Sequence, residues 1–374
     1  MRVGTVKEIK IDEYRVGLTP ESVRELCLCG HEVLVEHNAG KSAGFSDEDY
    51  EQAGARILSS AAEVFAVAEL VVKVKEPQPS ECDFLRDGQA LFTYLHLAAE
   101  PELTRQLLEK GVTAIAYETV TDAHGGLPLL APMSEIAGRM AIQAGAHHLE
   151  IGQGGIGKLL SGVTGVAPGR VVIIGGGVVG DNAARMAVGM GADVVILDKS
   201  LDRLRWLESR YFGRARCLHA TTAVVEEYAV RADLVIGAVL IPGGSAPKVL
   251  SGEVVGRMRP GSVVVDVAID QGGCFETSRM TSHGEPTYIV DGVVHYCVSN
   301  IPGAVPRTAT KALNNATLPF VLRLANEGIE AALSNDAYLG RGLNAHKGNI
   351  THPAVAEALD LPCQPPEWLH RKAV

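Results

Sequence analysis

The chain has 374 residues, enough for two domains, and a hydrophobic content of 47% supplies two cores. Its net charge of −10 argues against a nucleic-acid or anionic-membrane surface, but leaves small anionic substrates, for which a local Arg or Lys decides. Seven cysteines, scattered without a CxxC pair, read as reduced thiols in a cytoplasm. The opening Met1-Arg-Val-Gly-Thr-Val reads as a strand rather than a signal peptide, and no run approaches the ~18–20 apolar residues of a membrane helix.

Strand and helix patterns alternate over the first 130 residues. Strands are expected at Arg2 to Val6, His31 to Val35, Glu69 to Lys75, Ala90 to His96 and Val112 to Tyr117. Helices are expected after Thr19, which serves as N-cap with Pro20 at the first helical position, at Asp47 to Gln52, and at Pro101 to Lys110. This rhythm means a parallel sheet with helices on both faces. Two segments break it: a long helix capped by Ser134 and reaching about Leu149, and a second helical stretch from Pro306 to Leu333. Further strands are expected at Ala232 to Ala238 and Ser262 to Ile269. The tail from Gly340 has loop composition, with a short helix near Pro353 to Leu359.

The expected fold is α/β, with two doubly wound Rossmann-like lobes joined by the two long helices and a substrate cleft between them. Residues 1–133 and 306–374 form the substrate and catalytic domain. Residues 134–305 form the dinucleotide-binding domain.

That middle part carries the most informative stretch. The apolar run Val171 to Ile174 leads into Gly175-x-Gly177-x-x-Gly180. A helical pattern follows, then a second strand from Ala192 that ends in Asp198. Gly175 allows the tight turn, Gly177 close backbone approach to a pyrophosphate, and Gly180 the packing of helix on strand. The helix N-terminus presents free N–H groups to the phosphates, and Asp198 suits a ribose hydroxyl. Its charge repels a 2′-phosphate and selects NAD, although Lys199 and Arg203 stand nearby. The other reading is a glycine-rich turn in an ordinary α/β core. Gly152-Gln-Gly154-Gly-Ile-Gly157 matches the same spacing, but it follows a helical pattern, and Leu159 stands where a P-loop needs Ser or Thr. It reads as a connection.

Ligands of a doubly wound sheet sit beyond the carboxyl ends of the strands. There the sequence places Arg15, Lys75, His96 and Asp270. Arg15 suits forked hydrogen bonds to a carboxylate. Lys75 suits the same carboxylate or a 2-oxo oxygen. His96 suits proton transfer near neutrality. Asp270 suits orienting a water or ammonia. Each also has a plain reading: an exposed loop charge, a strand-end ion pair, a hydrogen-bonded core histidine and a turn acid. Tyr94, Leu130 and Met133 are candidates to wall a small pocket. His147 and His148 diverge on a helix, and no HExxH or Cys/His cluster occurs, so no metal is expected.

Several of these segments together resemble the alanine dehydrogenase family over nearly the whole length. They are Val3-Gly-Thr-Val-Lys-Glu8 with Arg15-Val-Gly-Leu-Thr-Pro20, Val74-Lys75-Glu76-Pro77, Phe92-Thr-Tyr-Leu-His96-Leu-Ala, and Pro132-Met-Ser134-Glu-Ile-Ala-Gly-Arg139. The glycine fingerprint, Asp266-Val-Ala-Ile-Asp270-Gln-Gly-Gly and Asn300-Ile-Pro-Gly-Ala-Val-Pro306 complete the set. The resemblance implies reversible NAD-dependent oxidation of L-alanine to pyruvate and ammonium by a homohexamer. It implies Arg15 and Lys75 as substrate ligands and His96 and Asp270 as the catalytic pair. It further implies cofactor contacts at Ser134, Gly175, Gly177, Val178, Val179, Gly180, Asp198, Arg203, Val239, Leu240, Val267, Ala268, Ile269, Asp270, Arg279, Val298, Ser299, Asn300 and Ile301.

Some relatives carry a lysine at the position of Arg203 and a serine at that of Ala220. Some hold magnesium where this chain has Arg323 and Glu327. The competing readings are a related amino-acid or transhydrogenase-type NAD oxidoreductase, and a non-catalytic dinucleotide-binding protein. The latter has no need of Arg15, Lys75, His96 and Asp270 together.

Overall fold

Short runs of aliphatic residues build two separate sheets, one in each of the units into which the chain divides: Met1–Met133 with Val305–Val374, and Ser134–Ala304. The computed structural model describes residues 1–239 and 246–370.

In the first unit, strands β1 (Arg2–Thr5), β2 (Glu32–Glu36), β3 (Arg56–Leu58), β4 (Leu70–Val72), β5 (Ala90–Thr93) and β6 (Thr113–Ala116) pair in parallel. The last two strands of the chain, β14 (Leu343–His346) and β15 (Asn349–Ile350), extend this sheet antiparallel beyond β6. The order is β15-β14-β6-β5-β4-β1-β2-β3. Leu34, Val71, Leu91 and Ala114 are buried in one apolar cluster, and Val3, Val33, Phe92 and Ile115 are buried as well. Burial on both faces explains why these strands read as apolar runs rather than alternating ones. The helix Pro20–Leu28 starts as expected, with the Thr19 hydroxyl accepting from the Ser22 N–H at 3.2 Å.

Four expectations need correction. β4 ends at Val72 and β5 at Thr93, so Lys75 and His96 lie beyond the sheet rather than at the ends of strands. The tail is not only loop and helix. A two-residue turn at Lys347 and Gly348, with φ of 46° and 82°, folds it into a hairpin too short to show a period in sequence. The helix around Ser134 spans Ala131–His148, so Ser134 lies in its first turn and does not cap it; Pro132, at the second helical position, pre-sets the backbone there. The stretch after Pro306 is two helices, Pro306–Glu327 and Ile329–Asn335, separated by Gly328 at φ 85°. The strand β3 and the helix Ala61–Val67 had no clear sequence signal.

In the second unit, β7 (Arg170–Ile174), β8 (Asp193–Asp198), β9 (Ala215–His219), β10 (Leu234–Gly237), β11 (Val263–Asp266), β12 (Thr287–Val290) and β13 (Val293–Tyr296) lie in the order β12-β13-β11-β10-β7-β8-β9. All neighbours are parallel except β12, which is antiparallel to β13. Alternate residues fill opposite faces. Val171, Ile173, Val194, Ile196, Leu234 and Ile236 join one apolar cluster, while Val172, Ile174, Val195, Leu197 and Val235 join another.

Both sheets reverse direction once. In the first, β1-β2-β3 run to one side and β4-β5-β6 to the other, so the reversal lies between β1 and β4. In the second it lies between β7 and β10. Ligands of open parallel sheets bind beyond the carboxyl ends at such reversals.

Candidate active site

At the reversal of the first sheet, the loop after β1 carries Arg15 and the segment after β4 carries Lys75. The loop is pressed against β4: a Cβ at Gly17 would overlap the Val72 carbonyl. It is pinned from the other side by Asn314, whose Oδ1 accepts from the Thr19 N–H and the Ser22 hydroxyl, both at 2.8 Å. Arg15 is only 2% exposed. Its Nε and Nη2 donate to the two oxygens of Glu13 at 2.6 and 2.5 Å, and its backbone N–H donates to the same carboxylate at 3.0 Å. Burial by itself raises the Glu13 carboxyl, but the Arg15 charge and hydrogen bonds outweigh it and hold the group at about 2. The pair is therefore ionised, as a buried charge must be when a partner of good geometry is present.

Lys75 is half-buried. Burial first, and the neighbouring Arg15 charge second, lower its pKa below that of an ordinary lysine. Its backbone and that of Val74 are held by Glu8, whose Oε1 accepts from both N–H groups at 3.4 and 2.7 Å. The other Glu8 oxygen meets the fully buried Lys73 ammonium at 3.1 Å, and Glu81 meets it at 2.7 Å. Burial pushes the Glu8 pKa up.

His96 follows β5 in a left-handed conformation, φ 52°. The Glu118 carboxylate accepts its N–H at 2.5 Å and that of Leu95 at 3.2 Å, and lies 4.0 Å from the ring Nδ1. The ring stacks at 6.1 Å on Tyr94, whose hydroxyl donates to the Leu129 carbonyl. With 47% of its side chain exposed, His96 is not a core histidine. Arg15, Lys75, Tyr94 and His96 are thus neighbours at the carboxyl edge of the first sheet, its mouth: the Arg15 charge acts on both Lys75 and Tyr94, and the Tyr94 ring stacks on the imidazole.

At the reversal of the second sheet stands the glycine turn. Gly175 has φ 102°, and a Cβ there would overlap the Ala238 carbonyl; a Cβ at Gly180 would overlap the Gly175 carbonyl oxygen. Gly177 is open, with nothing within 4 Å of an added Cβ. It leads into the helix Val178–Gly189, whose first residue is exposed. The Asp198 carboxylate accepts the Gly176 and Ser200 N–H groups at 2.7 and 2.8 Å. Arg203 donates its Nε to the Gly176 carbonyl at 2.5 Å and lies 4.1 Å over the Trp206 ring. The crowded glycines and the open one, ahead of a twelve-residue helix, fit a pyrophosphate, and Asp198 at the end of β8 fits a ribose.

Asp270 sits in a 3-10 turn after β11, exposed, with one oxygen 3.5 Å from the Asn300 N–H. The loop carrying it is organised by Asp266, fully buried, which accepts from the N–H groups of Ala268, Cys274 and Phe275 and from the Ser278 hydroxyl. Val239, Val267, Ala268, Ser299, Asn300 and Ser134 are half-buried. Ile269, Val298 and Ile301 have buried side chains, so only their backbone can face a ligand. The Arg279 guanidinium lies over the Tyr288 ring at 4.1 Å. Leu240, also expected at the cofactor, lies outside the described residues. Arg323 pairs with Glu327 and with Asp336, and Lys158 stands 3.9 Å from Asp233.

Reading the sequence missed Glu8, Glu13, Lys73, Glu118 and Asp266. Only Glu13 offered a signal, as an acid two residues from an expected carboxylate-binding arginine.

A dinucleotide turn on one doubly wound sheet, with a cationic mouth and a histidine on another, defines an NAD-dependent oxidoreductase. The chain belongs to the alanine dehydrogenase/PNT family: the N-terminal domain of that family matches residues 4–137 and the C-terminal domain residues 141–353. It is 60% identical to the alanine dehydrogenase of Halomonas elongata over 96% of this chain and 97% of the relative. It is 53% identical to that of Methanococcus maripaludis over 98% and 99%. Among solved structures, an L-alanine dehydrogenase superposes with a TM-score of 0.94 at 55% identity, covering 96% of this chain and 99% of the other. A transhydrogenase from Sinorhizobium meliloti superposes at 0.82 with 25% identity, covering 95% and 100%.

Proposed function

We propose that the chain catalyses the reversible NAD-dependent oxidative deamination of L-alanine to pyruvate and ammonium, with Arg15 and Lys75 as carboxylate ligands and His96 and Asp270 as the catalytic pair. The observation that carries this reading is the buried, pre-oriented Arg15 beside a half-buried lysine of lowered pKa. Two neighbouring cations with one histidine nearby suit a small amino or oxo acid. Arg15 and Lys75 fix the carboxylate. NAD, when bound, accepts the hydride that leaves C2. Asp270 orients the water that attacks the resulting iminium carbon, and His96 moves the protons as the carbinolamine forms and collapses. The glycine turn, Ser134, Asp198, Arg203, Val239, Val267 to Asp270, Arg279 and Val298 to Ile301 serve the cofactor.

Absorbance at the NADH band with L-alanine and NAD at alkaline pH tests the reading. Growth of the band supports it; silence in protein that binds NAD overturns it in favour of a non-catalytic role. The same reading includes a homohexamer, on the strength of the resemblance, working in the cytoplasm, on the strength of the scattered cysteines. No described helix is long and apolar enough to cross a membrane. Light scattering at six chain masses is the expected result.

A further inference from the structure

Among the described residues, the Arg15 guanidinium meets Glu13 and Met133, groups of unlike chemistry. Glu13 holds its Nε and Nη2 edge with a carboxylate that is itself buried, 4% exposed, and tied to the Arg15 backbone N–H. Across from it, Nη1 donates to the sulfur of Met133 at 2.9 Å. A thioether is a weak acceptor. A carboxylate oxygen is a charged one, and its hydrogen bonds to a guanidinium are about twice as strong as neutral ones. The Met133 side chain is unbranched and turns about three bonds, so its sulfur can leave without the backbone moving. The rest of the loop cannot answer in the same way. Gly17 is jammed against Val72, and Asn314 pins Thr19.

We infer that the Met133 thioether is a displaceable cap on the carboxylate subsite: it occupies Nη1 of Arg15 until the substrate carboxylate takes its place, while Glu13 keeps the opposite edge fixed. The inference rests on the reading of Arg15 as the carboxylate anchor. Met133 then tunes affinity for every small carboxylate alike. A stronger acceptor at position 133 weakens binding, and a side chain without an acceptor tightens it. Glu13 is the positioning residue of the pair, because its three bonds leave it no freedom to yield.

Two measurements on the full chain test this. The seven methionines give seven signals when labelled with 13C at the methyl group, and the one absent from Met133→Leu belongs to Met133. Adding pyruvate to NADH-loaded enzyme, without ammonium, is expected to move that signal. Pyruvate bound with the signal unmoved overturns the cap. The second measurement is the inhibition constant of oxamate, an unreactive isostere of pyruvate. Met133→Leu is expected to lower it roughly 2- to 5-fold, and Met133→Gln, with a better acceptor, to raise it by a similar factor. Weakening by both variants alike reduces Met133 to packing and overturns the cap. Arg15→Lys separates the two readings: unchanged oxamate affinity there removes Arg15 as the anchor, whereas a loss beside a flat Met133 series removes the cap alone.

Discussion

The two sheet reversals are built from opposite materials. In the first unit the reversal is built from charged side chains, and each buried cation is compensated by an acid: Arg15 by Glu13, Lys73 by Glu8 and Glu81. In the second unit the facing surface at the glycine turn is mostly backbone, shaped by the glycines and by a single carboxylate at the end of β8. A charged mouth needs partners from distant parts of the chain, because an uncompensated charge in a buried place costs several kcal/mol. A backbone cradle needs only the right residues within one turn. The first is therefore costly to alter and hard to read, and the second is local in both respects.

The largest expected effect tests whether the mouth of the first unit does chemistry at all. His96→Ala should lower turnover by about 10²- to 10⁴-fold in a steady-state assay, the loss expected of the acid–base role proposed for the imidazole. A near-native rate would break the comparison by leaving the mouth as a binding surface only. Next comes compensation. Arg15→Met strands the Glu13 carboxylate and should cost about 3–5 kcal/mol in denaturant unfolding, with most of it recovered by Glu13→Leu in the same chain. The acid limb follows with a definite sign. The Glu13 pKa falls from its ordinary 4.5 to about 2 on folding. Its contribution is thus present above about pH 4.5 and lost as pH falls toward 2, and Arg15→Met should flatten that part of the stability curve.

Gly180→Ala sharpens the other side. The new methyl meets the Gly175 carbonyl, and the resulting shift of helix or turn should weaken NAD binding by about 1–3 kcal/mol in fluorescence titration. Pyruvate-site variants should leave that affinity alone. The smallest effect is a control: Lys311 and Glu21 form an exposed pair at 3.2 Å. Lys311→Ala should change stability by no more than about 1 kcal/mol.

Legibility followed the same division. The strand–glycines–helix–strand–Asp unit appears where the sequence places it, because strand, turn and helix are each encoded within a few residues. Strand ends were read too far at Lys75 and His96. Val74, Tyr94 and Leu95 carry the apolar pattern past the strand ends at Val72 and Thr93, and pairing is decided by the neighbouring strand. The tail hairpin escaped notice because four- and two-residue strands carry no period. Gly328 split a helix whose apolar pattern runs straight through it.

By itself the sequence determined a dinucleotide turn followed by an acid, two α/β units, and the residue types proposed for a small acid. These are properties of short windows, where a glycine's freedom or a side chain's chemistry acts at its own position. Only the tertiary structure decided that Glu13 locks Arg15, that Glu8 holds the backbone of Lys75, and that the Met133 sulfur meets Nη1 of Arg15. Charges and weak acceptors find their partners through packing across many intervening residues, and no local pattern records which partner closes the contact.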